Sequence, residues 1–309
     1  MRPRKAFTLV ELLIVIAIIL ILIAILLPVC IKIRNRALVL VCPIAYIGQD
    51  GGVYLTGPKG GYDVPLTPSG GHAQVNRDTY WSNHPVDWSP CGRRLAYNVK
   101  DYTDSRVYIH EPSCGKVSPI RNSHLFSAWI DYDTYLGMGS YGGHAIVDAN
   151  AGQIIEDFKF PAGCDTYSTF ARCPPGCAFK FVAFCFGDQG TQIAFIGKNY
   201  LPKRMIRHKP EGLTNVVPLF APKVDPFGEY VAWDAGGMTY VHVIVGQESS
   251  PATPIPGGFC DWTEEGNVLT NFNGVLAVYS KLGRLVRNIP TERRIADGNA
   301  ASYRKYGHQ

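Results

Sequence analysis

Glu11 is the one charged side chain in an otherwise apolar run from Phe7 to Ile31. An ionised carboxylate in hydrocarbon costs at least about 2.5 kcal/mol unless a cation pairs with it. No Lys or Arg lies inside the run. The chemistry asked of Glu11 is therefore charge pairing with a cation from elsewhere, or escape of its carboxylate to a polar interface. Thiols form the second reactive set. Cys stands at 30, 42, 91, 114, 164, 173, 177, 185 and 260, an odd number that cannot all pair within one chain. Such cysteine usage points to an oxidising compartment, with Cys30, near the end of the apolar run, as the natural odd one. Cys173-Pro174-Pro175-Gly176-Cys177 suggests a metal knuckle, but zinc needs four ligands and the eight histidines are scattered singly. A loop stapled by a disulfide among Cys164, Cys173 and Cys177 is the expectation instead. The chain has no Gly-Lys-Ser/Thr phosphate loop, Gly-x-Ser-x-Gly elbow or His-Glu-x-x-His helix, so no catalytic residue, metal or cofactor is assigned and the chain is read as a non-enzyme.

The element that must position Glu11 is a helix. At about 1.5 Å per residue the run covers about 37 Å, enough to span a bilayer. Arg2, Arg4 and Lys5 precede it without an acid, which keeps the N-terminus cytoplasmic and exports the rest. Lys32, Arg34 and Arg36 on the far side reduce that asymmetry. A secretory signal would have a shorter apolar core followed by its cleavage site, whereas here Ala6 precedes the core and Pro28 closes it.

Lys5-Ala6-Phe7-Thr8-Leu9-Val10-Glu11 resembles the processing site of type IV prepilins and pseudopilins, a likeness that extends over residues 1–36. The resemblance implies that a membrane prepilin peptidase cuts between Ala6 and Phe7, that the amino group of Phe7 is then methylated, and that Glu11 becomes the fifth mature residue. Ala6 stands where the family usually has Gly; both are small. The new α-ammonium would neutralise Glu11 of a neighbouring subunit and set the register of helices in a filament. The plain alternative is a signal anchor whose Glu11 reaches back to the cytoplasmic interface. Pro28 removes a helix donor and clashes with the preceding turn, at a cost of about 3 kcal/mol. That implies a kink or, by the same resemblance, extended chain near Leu26 to Cys30 in the assembled form.

Beyond residue 42 the composition favours strands. Turn signals recur at Gln49-Asp50-Gly51-Gly52, Pro90-Cys91-Gly92, Gly142-Gly143, Asp188-Gln189-Gly190, Pro226-Phe227-Gly228 and Glu265-Gly266, and Pro43 ends the helix. Three segments share a strand-turn-strand pattern: Val86 to Tyr97, Val224 to Trp233 and Cys260 to Leu269. Weaker copies start at Ala128 and Phe184. Aligning the turn glycines puts Trp88, Trp129, Phe186 and Trp262 in one column, with Val224 the exception. Two further strands follow each hairpin, as in Arg106 to His110 and Lys116 to Ile120, which makes a four-stranded blade. Trp88-Ser89-Pro90-Cys91-Gly92 resembles the core turn of TolB-type propeller repeats. Ile44–Ile47 and Gly52–Leu55 are the middle strands of a first blade without an inner strand, and a C-terminal segment between Ile295 and Tyr306 would supply it.

The expected fold is mainly β: an N-terminal transmembrane or filament-core helix followed by a propeller of six four-stranded blades. Residues 1–6 form a leader, 7–42 a hydrophobic pilin-like helix and 43–309 the propeller head, with an irregular insertion at 161–178. Competing architectures are a seven-bladed ring and a pilin-like α+β head. Cys91 and Cys114 fall on turns at the same end of one blade and are a candidate disulfide. Asp87 and Asp261 align and either line the channel or cap turns. The aromatic column packs blade on blade.

The formal charge of +5 includes the leader residues Arg2, Arg4 and Lys5, so nucleic acid is not demanded as a partner. The basic segments Lys203 to Lys209 and Arg284 to Arg287 read as solvated faces, with acidic glycans or nucleic acid as the alternative. Two functions remain. The first is a homopolymeric, pilus-like filament subunit, handled by prepilin peptidase and inner-membrane assembly machinery, that passes from the inner membrane to the cell surface. The second is a membrane-anchored minor pseudopilin or binding propeller of a secretion system.

Overall fold

The computed structural model describes residues 9–67, 86–101, 104–120, 124–139, 143–158, 170–174, 176–187, 190–197, 202–207, 222–244, 251–296 and 301–304. The chain divides into two units, Met1–Val41 and Cys42–Gln309. In the first, helix α1 (Leu9–Val41) runs without interruption past Pro28, so the kink or extension expected there does not break the helical assignment. It stops two residues before Pro43, whose ring cannot continue a helix. Val10 and the side chains from Leu12 to Leu27 are exposed. Among the described residues no helix is long and apolar enough to cross a membrane; the run read from the sequence includes positions outside them.

The second unit consists, among the described residues, of six four-stranded antiparallel sheets arranged as blades. The first contains β1 (Ile44–Ile47), β2 (Val53–Thr56) and β3 (Asp63–Pro65). The second contains β4 (Val86–Trp88), β5 (Leu95–Asp101), β6 (Asp104–Glu111) and β7 (Lys116–Ile120). The third is β8 (His124–Trp129), β9 (Thr134–Gly139), β10 (His144–Asp148) and β11 (Ile154–Phe158). The fourth is β12 (Phe170–Arg172), β13 (Phe181–Gly187), β14 (Gly190–Ile196) and β15 (Pro202–Arg207). The fifth is β16 (Lys223–Val224), β17 (Tyr230–Ala235), β18 (Met238–Val243) and β19 (Thr253–Pro256). The sixth is β20 (Gly258–Trp262), β21 (Val268–Phe272), β22 (Val275–Tyr279) and β23 (Leu285–Ile289). The last strand, β24 (Ala301–Tyr303), returns to the first blade and pairs with β1.

The missing inner strand of the first blade is therefore supplied by the C-terminal segment. Further ties hold the closure. Gln49 N donates to Arg294 O and Ala296 N to Ile47 O, both at 2.9 Å. Asp63 Oδ2 accepts from Tyr46 Oη at 2.5 Å and from Glu292 N at 2.6 Å.

Among the described residues the core clusters lie between consecutive blades rather than inside one. Val107, Ile109 and Ile120 of the second blade pack on Phe126, Trp129 and Tyr135 of the third. Leu136 and Phe158 meet Phe170 and Phe181, and Ala232 and Ile255 meet Phe259 and Trp262. A blade buries both faces against neighbours and leaves its outer strand in water. This explains the exposed outer positions of β7, β11 and β23.

The fourth repeat departs from the expected register. Trp88, Trp129, Val224 and Trp262 all sit at the last paired position of an inner strand. The residue in that place in the fourth blade is Arg172, paired with Phe181, whereas Phe186 is on the second strand, β13. Segment 161–178 is accordingly not wholly an insertion, since it contains β12 and the turn that follows. The three-residue strand and an Arg in the aromatic column concealed it.

Candidate functional site

The sequence-derived assembly residues belong to the first unit. Glu11 and Pro28 lie within α1, while Ala6 and Phe7, together with the cleavage between them, lie outside the described residues.

In the head, period-two alternation aims every second inner-strand residue at the axis. The residue just before each column position is Ser302, Asp87, Ala128, Ala171, Lys223 or Asp261 around the ring. Four of these are polar and they meet. Lys223 Nζ lies 3.1 Å from Asp87 Oδ1 and 3.3 Å from Asp261 Oδ2. Ser302 Oγ lies 2.8 Å from Asp87 Oδ1 and 2.9 Å from Asp261 Oδ2, so its single proton serves two carboxylates. Asp261 also accepts from the backbone N–H groups of Trp262 and Tyr303. Burial works to lower the pKa of Lys223, but the charges of Asp261 and Asp87 and their hydrogen bonds outweigh it and push it up to about 12. Lys223 is thus held as an ammonium at neutral pH. The cluster is a polar bolt through the ring, made by four blades.

Indoles tie the inner strands together. Trp129 Nε1 donates to Asp87 O at 3.1 Å and Trp262 Nε1 to Lys223 O at 2.9 Å, each reaching back to the preceding blade. At Trp129 and Trp262 the column thus packs blade on blade and adds a hydrogen bond, whereas the Trp88 indole N–H is buried without one among the described residues.

The sequence reading placed Asp87 and Asp261 at the axis as one alternative, and the structure puts them there together. It missed Lys223 and Ser302. The signal for Lys223 was present, because Lys223-Val224-Asp225 aligns with Asp87-Trp88-Ser89 and Asp261-Trp262-Thr263, with Lys at the axial position.

In the second, fifth and sixth blades the inner-strand turn is closed by the side-chain oxygen of its first residue. Ser89 Oγ accepts from Arg94 N, Asp225 Oδ1 from Glu229 N and Tyr230 N, and Thr263 Oγ1 from Asn267 N. Gly92, Gly228 and Gly266 adopt φ of 64°, 76° and 74° in these turns, conformations that a side chain would strain. In the fourth blade the first position is Cys173, with Cys177 further along the same turn.

The Cys91 to Cys114 disulfide is corrected. Both are thiols, with Cys91 Sγ 3.4 Å from Ser89 Oγ and Cys114 Sγ 3.6 Å from Glu111 O. Their turns join the first to the second strand and the third to the fourth. They are offset by two strand spacings, about 9–10 Å, which is beyond disulfide reach. Cys164 lies outside the described residues. Among the described residues no group of three His, Cys, Asp or Glu side chains is placed to hold a metal.

Comparison with known proteins finds a match between residues 1–27 and the family described as prokaryotic N-terminal methylation motif. No curated protein matches in sequence. Among solved structures, TolB from Acinetobacter baumannii is similar at 17% identity, with 85% of this chain and 67% of that one covered and a TM-score of 0.62. Dihydro-heme d1 dehydrogenase NirN in complex with DHE has 14% identity, with 84% of this chain and 54% of that one covered and a TM-score of 0.42. The chain thus joins a prepilin-type N-terminal methylation motif to a six-bladed β-propeller with the fold seen in TolB.

Proposed function

We propose that this chain is a structural, non-catalytic subunit of a type IV pilus-like extracellular filament. It polymerises through its N-terminal helix and displays the propeller on the surface. The observation that carries the reading is the methylation motif at residues 1–27, which runs into the long apolar helix α1 (Leu9–Val41) ahead of a head that forms its own compact unit. In this scheme prepilin peptidase removes residues 1–6 at the inner membrane. The methylated ammonium of Phe7 pairs with Glu11 of a neighbouring copy, and assembly machinery extracts the helix into the growing filament. The axial cluster supports a display role, since its charges are spent on each other.

A second reading is a minor pseudopilin or binding propeller acting in few copies from the membrane. The size of the head, Cys42–Gln309, favours it, because a large head limits close packing of subunits.

Electron microscopy and N-terminal mass spectrometry of sheared surface material separate the two. Long filaments composed mainly of this chain and beginning at methylated Phe7 support the first reading. Chain retained in the membrane fraction in few copies favours the second, and intact Met1 in assembled material overturns the processing scheme.

A further inference from the structure

The β12–β13 turn differs from its counterparts in the second, fifth and sixth blades. Cys173 occupies the position where Ser89, Asp225 and Thr263 close their turns with a side-chain oxygen. The clamp here is also longer, running from Cys173 N to Lys180 O where the second blade closes from Ser89 N to Arg94 O. A thiol is a weaker acceptor than a hydroxyl or carboxylate, and this turn is folded in another way. Cys177 N donates to Pro174 O, and Gly176 has φ 87°; together these fold the chain back and bring the second sulfur to the first. The Cys173 thiol hydrogen-bonds to the Cys177 sulfur, and the N–H groups of Phe179 and Ala178 also donate to it. Cys173 is buried and Cys177 partly exposed, which is the division of roles that thiol exchange requires: one accessible attacker and one shielded resolver.

We infer that Cys173 and Cys177 are a reversible dithiol–disulfide pair that closes the fourth blade's inner turn and is oxidised by exchange with an external disulfide. Cys177 thiolate attacks one sulfur of the external disulfide, forming a mixed disulfide and expelling one thiolate. The Cys173 thiol then loses its proton to solvent and its sulfur attacks Cys177. This forms the Cys173–Cys177 bond and releases the second thiolate. Two protein thiols are oxidised as one external disulfide is reduced to two thiols. The Cys173 hydrogen bond, followed by the backbone donors, outweighs burial and lowers the pKa of Cys177 to about 6, which supplies the attacking thiolate at neutral pH. Contact of the pair with the next blade makes the state consequential: a Cβ built on Gly228 would lie 2.9 Å from Cys177 Sγ. Oxidation therefore acts at the seam between the fourth and fifth blades.

The inference is independent of the filament reading and is tested on the full chain in detergent. The protein is equilibrated with defined mixtures of reduced and oxidised glutathione, quenched with acid, denatured, alkylated and mapped by peptide mass. The expected result is that Cys173 and Cys177 lose alkylation together as the oxidised fraction rises, in one linked peptide, while the exposed Cys114 is recovered only as the free thiol or its glutathione mixed disulfide. In the Cys173→Ser variant, Cys177 should accumulate as a stable glutathione mixed disulfide, because the resolving thiol is gone. Full alkylation of both residues after equilibration with oxidised glutathione overturns the proposal, as does Cys177 linked to a different cysteine. Should Cys173→Ser fail to fold, the linked-peptide titration of the unmodified chain decides alone.

Discussion

Ser302 lies opposite Ala45 in the antiparallel pair that joins the last strand of the head to its first. Its hydroxyl also reaches the axial carboxylates of the second and sixth blades. One short strand thus closes the ring at its seam and bolts it at its centre. Truncation after Pro290 removes β24 and, with it, the inner of β1's two backbone partners. An open ring exposes two blade faces and an unpaired strand edge. For the head beginning at Val39, thermal melts of chains ending at His308 and at Pro290 should differ sharply, the shorter chain losing its cooperative transition or aggregating. An unchanged transition would show that closure contributes nothing.

Lys223 is the only cation among the four polar axial positions. Lys223→Met leaves Asp87 and Asp261 facing each other with one hydroxyl proton between them. Removing one member of a buried ion pair typically costs about 3–5 kcal/mol. Urea unfolding of the head should show a loss in that range, and joint replacement of all three charged residues by apolar ones of similar size should recover only part of it, because the N–H groups of Trp262 and Tyr303 lose their acceptor. A loss below about 1 kcal/mol would mean that water already reaches the cluster.

Trp262→Phe keeps most of the blade contact and deletes the donor to Lys223 O. A buried carbonyl without its partner costs about 1–3 kcal/mol, so the midpoint of denaturation should fall with little change in slope. Trp129→Phe should behave alike through Asp87 O.

Two buried groups give opposite pH dependences. Burial raises the pKa of Asp234 to about 6, so in the folded head its neutral form is favoured. Its contribution is full below the unfolded value near 4 and is lost as pH rises through 6. Burial lowers the pKa of His110 to about 4. Its contribution is full above the unfolded value near 6.5 and is lost as pH falls toward 4. Each shift corresponds to roughly 3 kcal/mol at the far end of its window. Asp234→Asn should stabilise the head above pH 6 and make no difference below pH 4, while His110→Gln should flatten the acid limb. Melts between pH 4 and 8 check both signs.

For the helix, Glu11→Val should insert into the membrane at normal levels yet assemble poorly, because the Phe7 ammonium would have no carboxylate to receive it. Fractionation and filament yield measure the two steps separately, and normal filament yield would remove the pairing role.

How far the sequence reached depended on how local each determinant was. The end of α1 at Val41 follows from Pro43 alone, and the methylation motif from a handful of adjacent residues. Blade number was legible because strand alternation and left-handed turn glycines repeat along the chain, and because Ile44–Ile47 lacked an inner neighbour. The fourth repeat was misregistered because Arg172 and Cys173 break the Trp-Ser-Pro pattern, while the local hairpin around Phe184 looked like the hairpin that mattered. By itself the sequence determined the apolar helix, its lone carboxylate and the repeating four-stranded unit, all set by chemistry within a few neighbouring residues. Only the tertiary structure decided that Asp87, Lys223, Asp261 and Ser302 are one cluster and that Cys91 and Cys114 do not meet. Those outcomes depend on distances between elements far apart along the chain, which ring closure and strand spacing set and no local pattern encodes.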